Sequence, residues 1–255
     1  MLLAQDLLRD YHKDGGKPRG SAKIDLMKAY DTLNWEFLMD MLHTLGFPDS
    51  MICWIKACVT SPRYSINFNG ESIGYFEGAR GLRQGDPMSP YLFVIAMDFL
   101  SQLLHHNVVN NPDFGFHHRC EKLGISHLCF ADDLLLLFAG NIQAAQMVRS
   151  VLNEFYKFSG LKANDSKSCV FLAGIDTNVA NDICHALQFA RGHLPMKYLG
   201  VPLITTKLKK VDCDELLRKI SARITSWNSR FLSYAGRVQL IHSVLYGIQC
   251  YWSSM

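Results

Sequence analysis

The sequence has no cysteine pair at CxxC spacing, no internal repeat and no low-complexity tract. It has no large excess of either charge and no apolar run that reads as long enough to cross a membrane. Its 8 cysteines are irregularly spaced, which argues against a disulfide framework and a ribbon-type zinc site and fits reduced thiols in an intracellular protein. The start, Met1 to Leu8, lacks the charged lead and long apolar core of a signal peptide. The formal net charge of +3 and pI near 8.4 do not by themselves identify a nucleic-acid binder, so the distribution of charge has to decide.

What is present is a globular composition: 49% apolar and 19% charged residues over 255 positions, enough for one large domain or two small ones. The centre of interest is His127 to Phe138, where two short apolar runs flank Ala131-Asp132-Asp133. Each run reads as a buried strand, with the acids at the bend. Adjacent carboxylates repel one another and resist desolvation, and a divalent cation would relieve both costs. Taken alone, Asp-Asp is also ordinary turn chemistry.

Along the chain, Leu2 to Tyr11 is helical in pattern, and residues 14 to 20 form a loop. Ala22 to Leu26 is a short strand that ends on Asp25. Asn34 is a plausible N-cap for a helix through Leu45, and a second helix spans about Asp49 to Val59. Arg63 to Phe76 reads as a hairpin around Asn69-Gly70. A glycine-containing loop, Gly78 to Pro90, leads into an apolar helix to about His105 with Ser89 as its cap. Later segments read as helix 142–158 closed by Gly160, strand 169–172, helix 178–189 and a single strand 197–203. Beyond Thr206, Lys207, Lys209, Lys210, Arg218, Lys219, Arg223, Arg230 and Arg237 crowd two helical segments with few acids. Hairpins mixed with helices, without regular βαβ alternation, predict an α+β fold.

Three acids on two strand ends, Asp25 with Asp132 and Asp133, would suit two magnesium ions of the kind that serve phosphoryl transfer. The loop Gly78 to Pro90 combines backbone freedom, planar donors and a helix start, and Gln84 can hydrogen-bond a base or sugar edge. The residues His117, His118, Cys120, His127 and Cys129 follow no usual zinc spacing, and Cys129 is predicted to be buried in its strand.

Asp25 with Tyr30-Asp31, then Gly81-Leu82-Arg83-Gln84-Gly85-Asp86-Pro87-Met88-Ser89-Pro90, then Phe130-Ala131-Asp132-Asp133 resemble the successive palm motifs of reverse transcriptases. The version resembles that of non-long-terminal-repeat retrotransposons, most closely plant LINE-type elements. Ser166-Lys167-Ser168 and Tyr198 to Pro202 look like the two later palm motifs. Trp227 with Ser229 to Arg237 is similar to the segment opening the thumb. The ordered set is more specific than any single motif.

The resemblance implies a polymerase palm, an antiparallel sheet with packed helices, followed by a helical thumb segment and with the fingers largely missing. The implied domains are 1–20 for residual fingers, 21–205 for the palm and 206–255 for a partial thumb. It implies an RNA-directed DNA polymerase that adds deoxynucleotides to a primer 3′ end, with Asp25, Asp132 and Asp133 holding two magnesium ions. Tyr30 would lie under the incoming sugar and select deoxynucleotides. Gln84 and Gly85 would line the nascent base pair, with Lys167 near the triphosphate. Arg83, Tyr198, Leu199, Gly200, Lys219, Arg223 and Arg230 would contact or support primer and template, the basic ones with salt-sensitive affinity. The implied partners are an RNA template, a DNA primer and deoxynucleoside triphosphates, with no membrane and no obligatory protein partner. Copying an element implies access to the nucleus. Family members carry an endonuclease and fingers before the palm, so residues 1–255 alone are expected to bind weakly and not to extend. The rival reading is a noncatalytic nucleic-acid-binding remnant. A magnesium nuclease would share the carboxylates but gives no reason for Tyr30 or the Gln84 loop.

Overall fold

The structure is a computed structural model that describes residues 2–13, 15–111, 114–205, 210–227 and 232–253. In chain order the elements are α1 (Leu2–Leu8), β1 (Arg19–Ile24), α2 (Ala29–Thr32), α3 (Trp35–Thr44), α4 (Asp49–Thr60), β2 (Arg63–Phe68) and β3 (Glu71–Glu77). Then come α5 (Ser89–Asn110), β4 (His127–Phe130), β5 (Asp133–Ala139), α6 (Ile142–Ser159), β6 (Cys169–Ala173), α7 (Thr177–Leu187) and β7 (Ala190–Arg191). The last are β8 (Met196–Tyr198), β9 (Val201–Leu203), α8 (Asp214–Ser226), α9 (Tyr234–Leu240) and α10 (Tyr246–Ser253), the last two joined by a π-helical turn. By internal contacts the chain divides into Gly15–Gly192 and a second unit of Met1–Asp14 with His193–Met255. That division falls ahead of the change in composition near residue 205, because β8 and β9 pair only with each other and β9 packs with α1.

The larger unit is built on a five-stranded sheet of order β4-β5-β1-β6-β7, antiparallel except for the β6–β7 pair. β5 is buried on both faces: Leu134 to Phe138 are each no more than 1% exposed, which accounts for its unbroken apolar run. β1 lies beside it with small residues, and the Phe138 ring occupies the space that a Cβ on Gly20 would need. Alternate residues of β1 and β5 (Ala22, Ile24, Leu134, Leu136, Phe138) join α3, α5 and α6 in one core. α6 begins where Asn141 accepts a hydrogen bond from the Ala144 N–H and ends at Gly160 in the left-handed region. Asn34 caps α3 through the Glu36 N–H, as its position predicts.

Several expectations need correction. Ser89 is the first residue of α5, not its cap; Asp86 instead receives the Met88 N–H at 2.8 Å. α5 runs to Asn110, and at 22 residues it is long and apolar enough to cross a membrane. Its stripe Leu92, Phe93, Ala96, Met97, Leu100, Leu104 and Val108 is buried in the core of this unit. β4 is not a buried strand: it is the sheet edge with one neighbour, and Cys129 and Phe130 are exposed. The hairpin β2–β3 turns at Asn69-Gly70, both at positive φ, as predicted. Its pairs Tyr64–Phe76 and Ile66–Ile73, with Phe68, are nonetheless exposed to solvent.

In the second unit, the segment predicted as one strand is the hairpin β8–β9, turning at Leu199 and Gly200, both at positive φ. Met196, Tyr198, Val201 and Leu203 are its buried positions. α8 has no buried residue, and Trp252 of α10 is buried.

Candidate active site

The sheet sets the site through register. β1 pairs with β5 so that Ile24 faces Leu134, which puts Asp25 across from Asp133 one step beyond the ladder. β4 and β5 are joined by a two-residue turn, with Phe130 paired to Asp133 and Ala131 at φ 52°. Such a turn suits the twist of the hairpin, although a left-handed alanine costs on the order of 1–2 kcal/mol. Asp132 therefore lies in the turn and Asp133 opens β5, a finer placement than two acids at a bend.

Asp25 is fastened by the loop before β6. Its N–H donates to the Ser168 hydroxyl at 3.1 Å, its carbonyl accepts from the Asn164 N–H at 2.7 Å, and its carboxylate accepts from the Asn164 side chain at 3.2 Å. Asn164 also receives the Ser166 hydroxyl at 2.8 Å and the N–H groups of Lys167 and Ser168 on its carbonyl. Next to it, Asp165 is held by Arg149 of α6 at 2.7 Å, and Arg149 also reaches the Leu187 carbonyl and the Gln188 side chain. Lys167 is the residue of this loop expected from the sequence; the structure adds Asn164 and Ser168 as the groups that hold Asp25. The Ser-Lys-Ser motif was the signal for Ser168. Nothing at the level of sequence marks Asn164.

The electrostatics are those of crowded acids. Burial raises the Asp133 pKa above the ordinary carboxylate range, with Asp132 and Asp25 adding to the rise and Lys23 opposing it. The Lys23 ammonium lies 3.9 Å from the Asp133 carboxylate. The Cys129 thiol, solvent-accessible on the edge strand yet crowded by its neighbours, is pushed up to about 11 by desolvation and then by Asp132 and Asp133. Among the described residues no group of three or more His, Cys, Asp or Glu side chains is gathered as a ready-made metal site. His127 is engaged by the Ser101 and Ser126 hydroxyls at 2.9 and 3.0 Å.

These shifts give a testable result. A raised Asp133 pKa means that the folded site takes up a proton more readily than the unfolded chain. The ionised form therefore costs stability at neutral pH, and the cost fades as pH falls through the raised value. Asp133→Asn is expected to raise the melting temperature of the cation-free protein at pH 7, with a smaller gain on acidification. A lower melting temperature at pH 7 would show that the Lys23 ion pair outweighs the crowding.

Tyr30 sits on α2, half-buried, its ring stacked on Phe93 of α5 at 4.9 Å and 13°. The Gly78–Pro90 loop is stapled to the same segment. The Gly81 N–H donates to the Leu33 carbonyl at 2.7 Å, the Leu82 N–H to the Tyr30 carbonyl at 2.5 Å, and Trp35 Nε1 to the Gly81 carbonyl at 2.6 Å. Gly81 has φ 90°, and a Cβ there would lie 2.7 Å from the Asp31 backbone, so only glycine permits this approach. Beyond the staple, Arg83, Gln84 and Gly85 are exposed. Lys167 is exposed on its own loop.

The remaining predicted residues belong to the second unit. Tyr198 is 2% exposed, so its side chain is a packing group, and Leu199-Gly200 form the tip of the β8–β9 turn. Lys219 and Arg223 are exposed on α8. Arg230 lies outside the described residues.

Comparison with known proteins matches residues 2–203 to the family described as reverse transcriptase (RNA-dependent DNA polymerase). The chain is 32% identical over 157 residues to the Pol polyprotein of a type-2 R2 retrotransposable element of Drosophila melanogaster, covering 60% of this chain and 14% of that protein. It is 25% identical over 246 residues to the Pol polyprotein of an R2 element of Popillia japonica, covering 92% and 39%. The chain thus spans less than two-fifths of either relative's length. Its fold is similar to that of telomerase from Candida tropicalis solved with a fragment of telomeric RNA, with a TM-score of 0.51 at 14% identity over 82% of this chain and 32% of that one. With four-fifths of its length matched to that family, the chain belongs to the reverse transcriptases.

Proposed function

We propose that this chain carries the RNA-directed DNA polymerase centre of a non-long-terminal-repeat retrotransposon, of the plant LINE-type, with residues 21–205 as palm and the helices of 206–255 as thumb. The observation that carries the reading is the register that sets Asp25 opposite Asp133, with Asp132 beside it in the turn. The donor set suits magnesium: all three candidate ligands are carboxylates, and Asp133 is desolvated, with Lys23 opposing and Asp132 and Asp25 adding to its strain. Asp25, Asp132 and Asp133 would hold two such ions. When bound, the ions supply charge that stabilises the attacking and leaving oxygens in phosphoryl transfer.

The chain's own residues do the positioning. Asn164 orients the Asp25 carboxylate, and Ser168 holds the Asp25 backbone N–H. Tyr30, braced by Phe93, would lie under the sugar of an incoming deoxynucleotide. Gln84 and Gly85, held to Tyr30 by the Gly81–Leu82 staple, would line the new base pair, and Lys167 would sit near the triphosphate. The primer hydroxyl then attacks the α-phosphate in line, and pyrophosphate leaves. Arg83, Arg223 and Arg230 would contact primer–template, with Tyr198 to Gly200 supporting the primer end. The telomerase that shares this fold was solved with RNA, and an RNA template fits the same reading here.

One observation favours the inactive nucleic-acid-binding alternative: the carboxylates do not close into a ligand cluster while Asn164 engages Asp25. Extension of a DNA primer on an RNA template, by this chain joined to the fingers of a related element, separates the two. The polymerase reading expects magnesium-dependent, template-directed product; binding without product would favour the remnant.

A further inference from the structure

The β8–β9 turn is held by side chains from two helices. The Lys219 ammonium of α8 donates to the Gly200 carbonyl at 3.1 Å, and the Tyr251 hydroxyl of α10 donates to the Leu199 carbonyl. Lys219 is itself placed by Glu215, one helical turn away, at 3.3 Å, and it lies over the ring of buried Trp252 at 5.8 Å. Glu215 closes the circuit back to the hairpin through Lys197 of β8 at 2.5 Å. Two carbonyls at the tip of a two-residue turn with both residues at positive φ would otherwise depend on solvent. The polar contacts of this lysine thus point inward to its own chain.

We propose that Lys219 and Tyr251 are positioning residues that clamp the Leu199-Gly200 turn, and that Lys219 is not one of the cations that contact nucleic-acid phosphates. The inference rests on the reading of this turn as the support for the primer end. It replaces the phosphate contact expected of Lys219 from its place in a basic helix.

A phosphate contact and an intramolecular clamp differ in salt dependence. Losing one phosphate contact lowers the slope of log affinity against log salt by roughly one. Losing a clamp leaves that slope unchanged. The test is fluorescence anisotropy of a labelled RNA–DNA primer–template with the full chain, titrated across salt, for the parent, Lys219→Met, Lys219→Arg, Tyr251→Phe and Arg223→Met. Backbone amide exchange over residues 196–203 is followed in parallel. The clamp predicts that Lys219→Met and Tyr251→Phe both weaken binding about two- to tenfold with an unchanged slope. It also predicts faster exchange at the turn in both, with Lys219→Arg near the parent. Arg223→Met, by contrast, is expected to lower the slope by roughly one. A slope lowered in Lys219→Met but not in Tyr251→Phe would overturn the proposal, and so would unchanged turn exchange in either variant. If the parent fails to bind primer–template at all, the polymerase reading falls, and turn exchange alone then decides for or against the clamp.

Discussion

Asp132→Asn is expected to reduce DNA synthesis by about a thousandfold or more while primer–template binding persists; that drop corresponds to about 4 kcal/mol of lost transition-state stabilisation. The substitution keeps the size of the side chain and its place in the turn but removes one of the three acidic charges at this end of the sheet. The packing cost should be small, because Asp132 is exposed in a two-residue turn and makes no core contact. The test belongs in a polymerase-competent protein that carries this domain, with single-turnover extension and equilibrium binding measured side by side. Extension within about tenfold of the parent would remove Asp132 from the cation site. Joint loss of binding and extension would indicate misfolding of the β4–β5 hairpin, and melting temperature then separates the two.

Tyr30→Val is expected to shift the preference for deoxyribonucleotides over ribonucleotides by about one to two orders of magnitude, through a gain in ribonucleotide use. The ring is stacked on Phe93 at 4.9 Å, and the Leu82 N–H holds the Tyr30 carbonyl, so the aromatic edge has a fixed place. A fixed edge can reject a 2′-hydroxyl; a mobile one would give way. Two effects compete in this variant. Truncating a half-buried aromatic costs about half of the 3–5 kcal/mol seen for fully buried rings, which lowers stability without altering the choice of sugar. The ratio of the two specificity constants isolates the gate from that loss. Tyr30→Phe should keep the parent ratio, because the ring and not the hydroxyl does the excluding. An unchanged ratio in a folded Tyr30→Val protein would mean that Tyr30 is only a core-edge aromatic.

The parts of this fold written in local chemistry were legible in the sequence. Asn34 and Gly160 mark helix ends by capping, Asn69-Gly70 marks a hairpin by its tolerance of positive φ, and Leu134 to Phe138 marks a doubly buried strand. What was missed depends on long-range partners. Cys129 looks buried by composition, yet β4 is the sheet edge, and position within a sheet is not a local property. The strand expected over 197–203 is two short strands because Leu199 adopts a left-handed conformation, unusual for leucine, next to Gly200. α5 passes His105 because Leu104 and Val108 extend the same buried stripe. The carboxylates were singled out because they are chemically conspicuous. Asn164 was not, because an asparagine before a serine-rich turn has many uses, and only the fold brings it to the Asp25 carboxylate 139 positions away. Helix composition suggested Lys219 as a phosphate ligand but could not show that its ammonium reaches the Gly200 carbonyl.

Whether Asp25, Asp132 and Asp133 act as one cation site is open to direct measurement. Manganese is a fair probe, since it takes the same oxygen ligands as magnesium and its free ion is counted by electron paramagnetic resonance. Titrated into this protein with a nucleoside triphosphate and primer–template present, manganese should bind saturably above the nucleotide's own uptake. That added binding should weaken at least about tenfold in both Asp25→Asn and Asp132→Asn, since each removes a charged ligand from the same ion or its neighbour. Equal manganese binding by the parent and both variants would contradict the account, leaving three acids that share a sheet end without a common task.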